Sequence, residues 1–299
     1  MSPARPDILC IGAVLWDVIG RTPAPMPYGA DVPGRILHVP GGVALNVAAT
    51  LARLGMRPAV LSSVGQDLQG AALIEAVQAL SVGTEWLHRD PRLPTDCYMA
   101  VEDGRGLVAA IADAHSLEAA GTAVLAALRD GRLGTPDQPW TGPIVLDGNL
   151  TAGLLGKIAR DAAFAAADLR VVPASPGKAE RLRPLLSAPG ATFYLNRAEA
   201  AILTGTEPAD AAEAARAVIA AGARHVLVTD GPGPVAEAVS DGPVLTAEPP
   251  RIQVRRVTGA GDCFLATHIV AGRQGAPRQQ ALNRATEAAA AHVSGKDLA

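Results

Sequence analysis

GGVALNVAATLARLG (Gly41–Gly55), followed two residues later by PAVLSSVG (Pro58–Gly65), decides the fold. A glycine pair opens the first stretch, apolar residues then recur at helical spacing, and Gly55 stops it. The second stretch is a short apolar run of strand type. Upstream, ILCIGAVL (Ile8–Leu15) reads as an apolar strand ending at a polar turn around Asp17. Downstream, Asp67 to Leu80 reads as a helix. Strand, helix, strand, helix predicts parallel α/β construction with right-handed crossovers.

The alternation continues to the C-terminus. Helices are predicted near Ser116–Arg129, Leu154–Ala167, Lys178–Leu186, Arg197–Thr204, Ala211–Ala220 and Pro277–His292. Strands are predicted at PIVLDGN, LRVVPAS, ATFYLN and HVLVTDG, with β-like sequence from Val235 to Val254. TDCYMAVEDGRGLVAAI (Thr95–Ile111) differs, because two short strands flank a D-G-R-G turn and read as a hairpin. With Arg35–Val39 it predicts a small sheet outside the main one, suited to act as a lid. The expected fold class is therefore α/β, with an open, mostly parallel sheet flanked by helices. One domain spans 1–299, and the lid (about 35–39 and 95–111) is inserted in it.

Composition narrows the function. Hydrophobic residues make up 49% and charged residues 18% of the 299, which excludes a disordered or coiled-coil chain. With 26 basic and 29 acidic side chains, the net charge of -3 offers no bulk attraction to a nucleic acid polymer or an anionic membrane. Cys10, Cys97 and Cys263 lack CxxC spacing, so no disulfide framework or zinc cluster is expected. No apolar run is long enough for a membrane span, and the N-terminus does not read as a signal peptide. The expected location is cytoplasmic.

TGAGD (Thr258–Asp262) precedes an apolar helix. Its glycines allow a tight turn that lets helix N-terminal amides converge on an anion. Asp262 falls in the first turn, where a carboxylate can take a proton from an attacking hydroxyl; an ordinary helix cap is the other reading. Asn149, in LDGNL, lies at the end of a strand, where open α/β sheets place ligands, and a turn role is equally open. His38, His88, His115, His225, His268 and His292 share no metal-ligand spacing and are expected in surface or core roles. Trp16 fits either ring stacking or packing, and Cys263 reads as a small buried filler. GxxxxGK[ST] is absent, and none of Lys157, Lys178 or Lys296 has such a setting.

GGVALNVAATLARLG, SVGQDLQG, NRAE (Asn196–Glu199) and VTGAGDCFLA occur in one order along the chain. In these motifs the chain resembles the ribokinase (PfkB) family of carbohydrate and nucleoside kinases over nearly its whole length. The resemblance implies a ribokinase-like fold and phosphoryl transfer from ATP with Mg2+. It makes Asp262 the general base and the amides of Gly259, Ala260 and Gly261 the anion hole. It gives Asn196 and Glu199 the task of organising magnesium and phosphates, Glu199 through water. Asp17, Gly41, Gly42 and Asn46 fall on the acceptor side. Thr229, Gly231, Gly233 and Thr258, with Thr286 and Ala290 of the last helix, fall on the nucleotide side.

ADVPGRILHVPGG, PTDCYMAVEDGRGLVAAIADAHSLE and LDGNL resemble the pseudouridine kinase branch, which implies pseudouridine 5'-phosphate as the product. Thr95 and Tyr98 of the lid would then face the ligand, with packing an equal role for Tyr98. Ribose, fructose, adenosine or uridine as acceptor, and a catalytically silent sugar- or nucleotide-binding regulator, are the rival readings. Leu15 stands where the family often has Asn. Arg256 replaces the Asp associated with monovalent-cation binding in ribokinase, leaving a K+ requirement open. The lid strands are also a candidate surface for a homodimer.

Overall fold

The computed structural model describes residues 5–255 and 258–295; Arg256 and Lys296 lie outside the described residues. The chain opens with β1 (Ile8–Ile11), fully buried, and continues through β2 (Leu15–Arg21) and β3 (Arg35–Gly41). Next come α1 (Val43–Arg53), β4 (Pro58–Leu61), α2 (Leu68–Ala79), β5 (Cys97–Asp103) and β6 (Gly106–Asp113). The middle of the chain holds α3 (His115–Ala120), β7 (Pro143–Asp147), α4 (Ala152–Ile158), β8 (Asp168–Val172) and β9 (Ala191–Asn196). It ends with α5 (Arg197–Thr204), α6 (Ala211–Ala220), β10 (His225–Asp230), β11 (Gly233–Val239), β12 (Leu245–Ala247), α7 (Ala260–Arg273) and α8 (Arg278–Val293).

The main sheet has eight strands in the order β12-β11-β10-β9-β8-β7-β1-β4, and only its β12-β11-β10 end is antiparallel. Helices cover both faces, so the central strands are apolar throughout rather than alternating. In β1, Leu9 and Ile11 join one core cluster while Ile8 and Cys10 join the cluster beneath α1 and α7. β1 lies between β4 and β7, so the chain changes its direction of travel across the sheet there. Such a switch point opens a crevice at the C-terminal ends of the strands.

The smaller sheet, expected as a lid, has four strands in the order β3-β2-β5-β6, with β2 inside it. This corrects the expectation of one strand from Ile8 to Leu15 followed by a turn at Asp17. The main-sheet ladder of β1 ends at Ile11, opposite Leu61 and Leu146. Beyond that point β2 pairs with β3 and β5, and Asp17 stands opposite Val39 and Tyr98. Three expected helices are also cut short. Gly121, at φ 51, ends α3, and a 3-10 segment follows to Leu128. α4 stops at Ile158 before an Asp161-capped turn, and Pro176–Leu185 is 3-10, with Pro184 lacking an amide donor. The β-like stretch after Val235 is strand only as far as Ala247. Among the described residues, no helix is long and apolar enough to cross a membrane.

Candidate active site

Asp147, at the end of β7, is fully buried in the crevice between β7 and β1. Its Oδ2 accepts the Ala13 amide at 2.9 Å, the Ala44 amide at 3.1 Å and the Asn149 side-chain amide at 3.2 Å. Its Oδ1 accepts the Asn149 backbone amide at 2.8 Å. A Cβ on Gly12 would overlap this carboxylate, so glycine there lets the end of β1 close over it. One side chain thus ties together the end of β1, the start of α1 and the turn after β7. Burial pushes the Asp147 carboxyl upward, against the pull of the donors around it. Asn149 extends the chain of contacts, because its Oδ1 accepts Lys178 Nζ at 2.6 Å.

The glycine pair stands directly above. Gly42, the N-cap of α1, has φ 98 and a Cβ there would strike the Ala13 carbonyl. A Cβ on Gly41 would fall on the Asp17 carboxylate. Gly41 therefore keeps open the space into which Asp17 points, and burial pushes Asp17 up to about 6. Tyr98 packs against the core from the lid, raised by burial and by the Asp17 charge.

Thr95 has another partner. Asp67 caps α2 through the Gly70 amide at 2.7 Å and also holds Thr95, accepting its amide at 2.8 Å and its hydroxyl at 2.6 Å. SVGQDLQG therefore docks the segment that leads into β5: a Cβ on Gly65 would come within 2.6 Å of the Thr95 nitrogen. Trp16 is likewise anchored, its Nε1 donating to the Gln69 carbonyl at 3.0 Å.

Asp262 occupies the first turn of α7, after the left-handed N-cap Gly259 at φ 83. The first amides of a helix have no acceptor within it, so the start of α7, where Asp262 sits, is a place at which an anion can be held. Asn46, one turn into α1, hydrogen-bonds Asp262. Burial pushes Asp262 up to about 7; the Asn46 bond opposes the rise, and the negative charges of Asp147 and Glu199 add to it. A half-buried carboxyl poised near neutrality can accept a proton from a hydroxyl and release it again.

Asn196 and Glu199 form the capping box of α5. Asn196 Oδ1 accepts the Glu199 amide at 2.8 Å, and Glu199 Oε2 accepts the Asn196 amide at 2.8 Å. Burial raises Glu199 to about 7. Asn196 is paired with Thr229 at the end of β10, and the turn through Gly231 follows. Asn196, Thr229 and Gly231 thus lie together at the C-terminal ends of β9 and β10. Thr286 and Ala290 are buried on α8, and the Thr286 hydroxyl donates within the helix to the Leu282 carbonyl at 2.8 Å. Among the described residues, no three His, Cys, Asp or Glu side chains converge as a metal cage. Glu199 by itself suits Mg2+, which keeps waters and takes its remaining ligands from nucleotide phosphates.

Two residues that matter here were not picked out from the sequence. Asp147 is legible only as a carboxylate closing a wholly apolar strand. His292, expected in a surface or core role, has its Nε2 2.9 Å from the Thr258 carbonyl oxygen. A wide depression lined by Arg5, Glu85, Trp86 and Arg132 contains none of the site residues.

The family model described as pfkB family carbohydrate kinase matches residues 5–298. The chain belongs to the pfkB family of carbohydrate kinases. As a pfkB-family kinase it carries out ATP-dependent phosphorylation of a hydroxyl on a small sugar or nucleoside. It is 29% identical to a pseudouridine kinase of Escherichia coli over 263 residues, covering 87% of this chain and 81% of that one. It is 34% identical over 300 residues to the bifunctional protein HldE of Azorhizobium caulinodans, covering 96% of this chain and 60% of that protein. Among solved structures, a carbohydrate kinase from Agrobacterium tumefaciens superposes with a TM-score of 0.79 at 27% identity, covering 95% of this chain and 89% of that one.

Proposed function

We propose that this pfkB-family kinase phosphorylates the 5'-hydroxyl of pseudouridine, giving pseudouridine 5'-phosphate and ADP. The observation that carries this reading is the likeness to the E. coli pseudouridine kinase across both chains. In it, Asp17 holds acceptor hydroxyls above the Gly41–Gly42 pair, and the lid closes over the ribosyl unit to exclude water. Asp262 removes the proton of the attacking hydroxyl, and the amides of Gly259, Ala260 and Gly261 receive the charge on the transferring group. Asn196 and Glu199 would hold Mg2+ through water on the nucleotide side, where the ion would neutralise phosphate charge. Thr229, Gly231, Gly233, Thr258, Thr286 and Ala290 complete that side.

The test is ADP release from Mg-ATP with pseudouridine, uridine, adenosine, ribose and fructose, beside Asp262→Asn and with K+ present or absent. Selective turnover of pseudouridine is expected, and preference for a free sugar would refute the branch. The likeness to HldE favours a second reading, in which the same machinery serves another small-molecule acceptor. Binding of ligands with no ATP consumption would instead favour a silent regulator. The homodimer rests on the exposed apolar residues of the outer lid strands, Ile36 at 74%, Leu107 at 62% and Ile111 at 68%. A monomer in sedimentation at micromolar concentration would end that proposal.

A further inference from the structure

We propose that His292 is a positioning residue that aims and polarises the Gly259 amide of the anion-binding loop; this rests on the kinase reading of that loop. His292 lies in the last turn of α8, with its Nε2 2.9 Å from the Thr258 carbonyl oxygen. A carbonyl oxygen only accepts, so Nε2 carries the proton. The Thr258 carbonyl and the Gly259 N–H belong to one planar trans peptide unit and point in opposite directions. Holding the carbonyl toward α8 therefore turns the Gly259 N–H away from it, to the side on which the transferring group is proposed to lie. Donation into the carbonyl also draws electron density through the amide, so the same N–H becomes a stronger donor.

The local structure supports a fixed arrangement. Gly259 has φ 83, and a Cβ there would come within 3.1 Å of His292 Nε2, so only glycine admits both the turn and the ring. The ring is carried by an ordered helix end, where the Gly295 amide donates to the His292 carbonyl at 3.0 Å. α7, whose first turn holds Asp262, packs alongside α8.

The test begins on the wild-type chain itself, with nitrogen-15 NMR of the histidine rings, the His292 signals assigned by their loss in His292→Gln. A protonated Nε2 is expected, together with a shift of the Gly259 amide proton in His292→Leu. A neutral ring protonated at Nδ1 alone would overturn the inference, whatever the acceptor panel shows. Kinetics then separates positioning from packing. His292→Leu should lower kcat roughly 10- to 100-fold with the acceptor KM nearly unchanged. His292→Gln, which keeps an N–H donor, should recover most of that loss. A leucine variant with wild-type kcat, or a glutamine variant no better than leucine, would refute it. Absence of turnover by the wild type on every acceptor would count against the proposed function alone, because the ring tautomer is read without turnover.

Discussion

Asp147 and Asp262 are both carboxylates raised by burial in one crevice, yet they are equipped for different work. Asp147 receives four hydrogen bonds from three residues and has no exposed surface. Asp262 has Asn46 as its side-chain partner and sits half-buried beside helix-terminal amides. Burial by itself does not make a base. The number of donors already committed to the carboxylate separates a structural tie from a group free to trade a proton.

The largest expected effect tests that contrast at its catalytic end. Asp262→Asn should reduce kcat by about a thousandfold, while ATP binding measured by calorimetry survives. Its stability should be equal to or above wild type at pH 8. A carboxyl raised from 3.8 to about 7 favours folding below its unfolded value and loses that contribution as pH rises through 7. Retained turnover would dissolve the distinction between the two aspartates.

At the structural end, Asp147→Ala strands the amides of Ala13, Ala44 and Asn149 in the interior. We expect about 3 kcal/mol or more of lost stability in urea unfolding. A loss below about 1 kcal/mol would show that the tie is dispensable.

A finer test is the pH profile. kcat/KM should fall as pH drops below about 7, because the base must be ionised, and Asp17 at about 6 should steepen the acid limb. A flat profile between pH 5 and 8 would contradict both environments described here.

The smallest effect concerns the lid. Thr95→Val removes the 2.6 Å bond to Asp67 and should cost about 1 kcal/mol of stability with little change in acceptor KM. A tenfold rise in KM without destabilisation would instead support the ligand contact expected of Thr95 from the sequence.

Much of the architecture was legible because its signals are local. Glycine pairs and apolar periodicity identified the α/β alternation, and the TGAGD turn marked the start of α7. Helix ends were less legible. Gly121, at φ 51, ends α3 where a longer helix is expected, and Pro176–Leu185 is 3-10 rather than α; such outcomes depend on backbone conformations that apolar periodicity does not specify. Three strands of the smaller sheet were visible, its hairpin through a turn signature, whereas β2 follows β1 closely along the chain and declares its sheet only through its partners.

The sequence by itself determined the family motifs, since Asp262, the glycine pair and the NRAE element stand in recognisable local patterns. Only the tertiary structure decided what surrounds them. It placed Asp147 against amides from residues 13 and 44, and His292 against the carbonyl of residue 258. Those contacts join segments distant along the chain, and a local pattern holds no information about which distant donor will fill a buried acceptor. The crevice, the raised carboxyls and the contact of His292 with the loop follow from how the strands and helices close on one another.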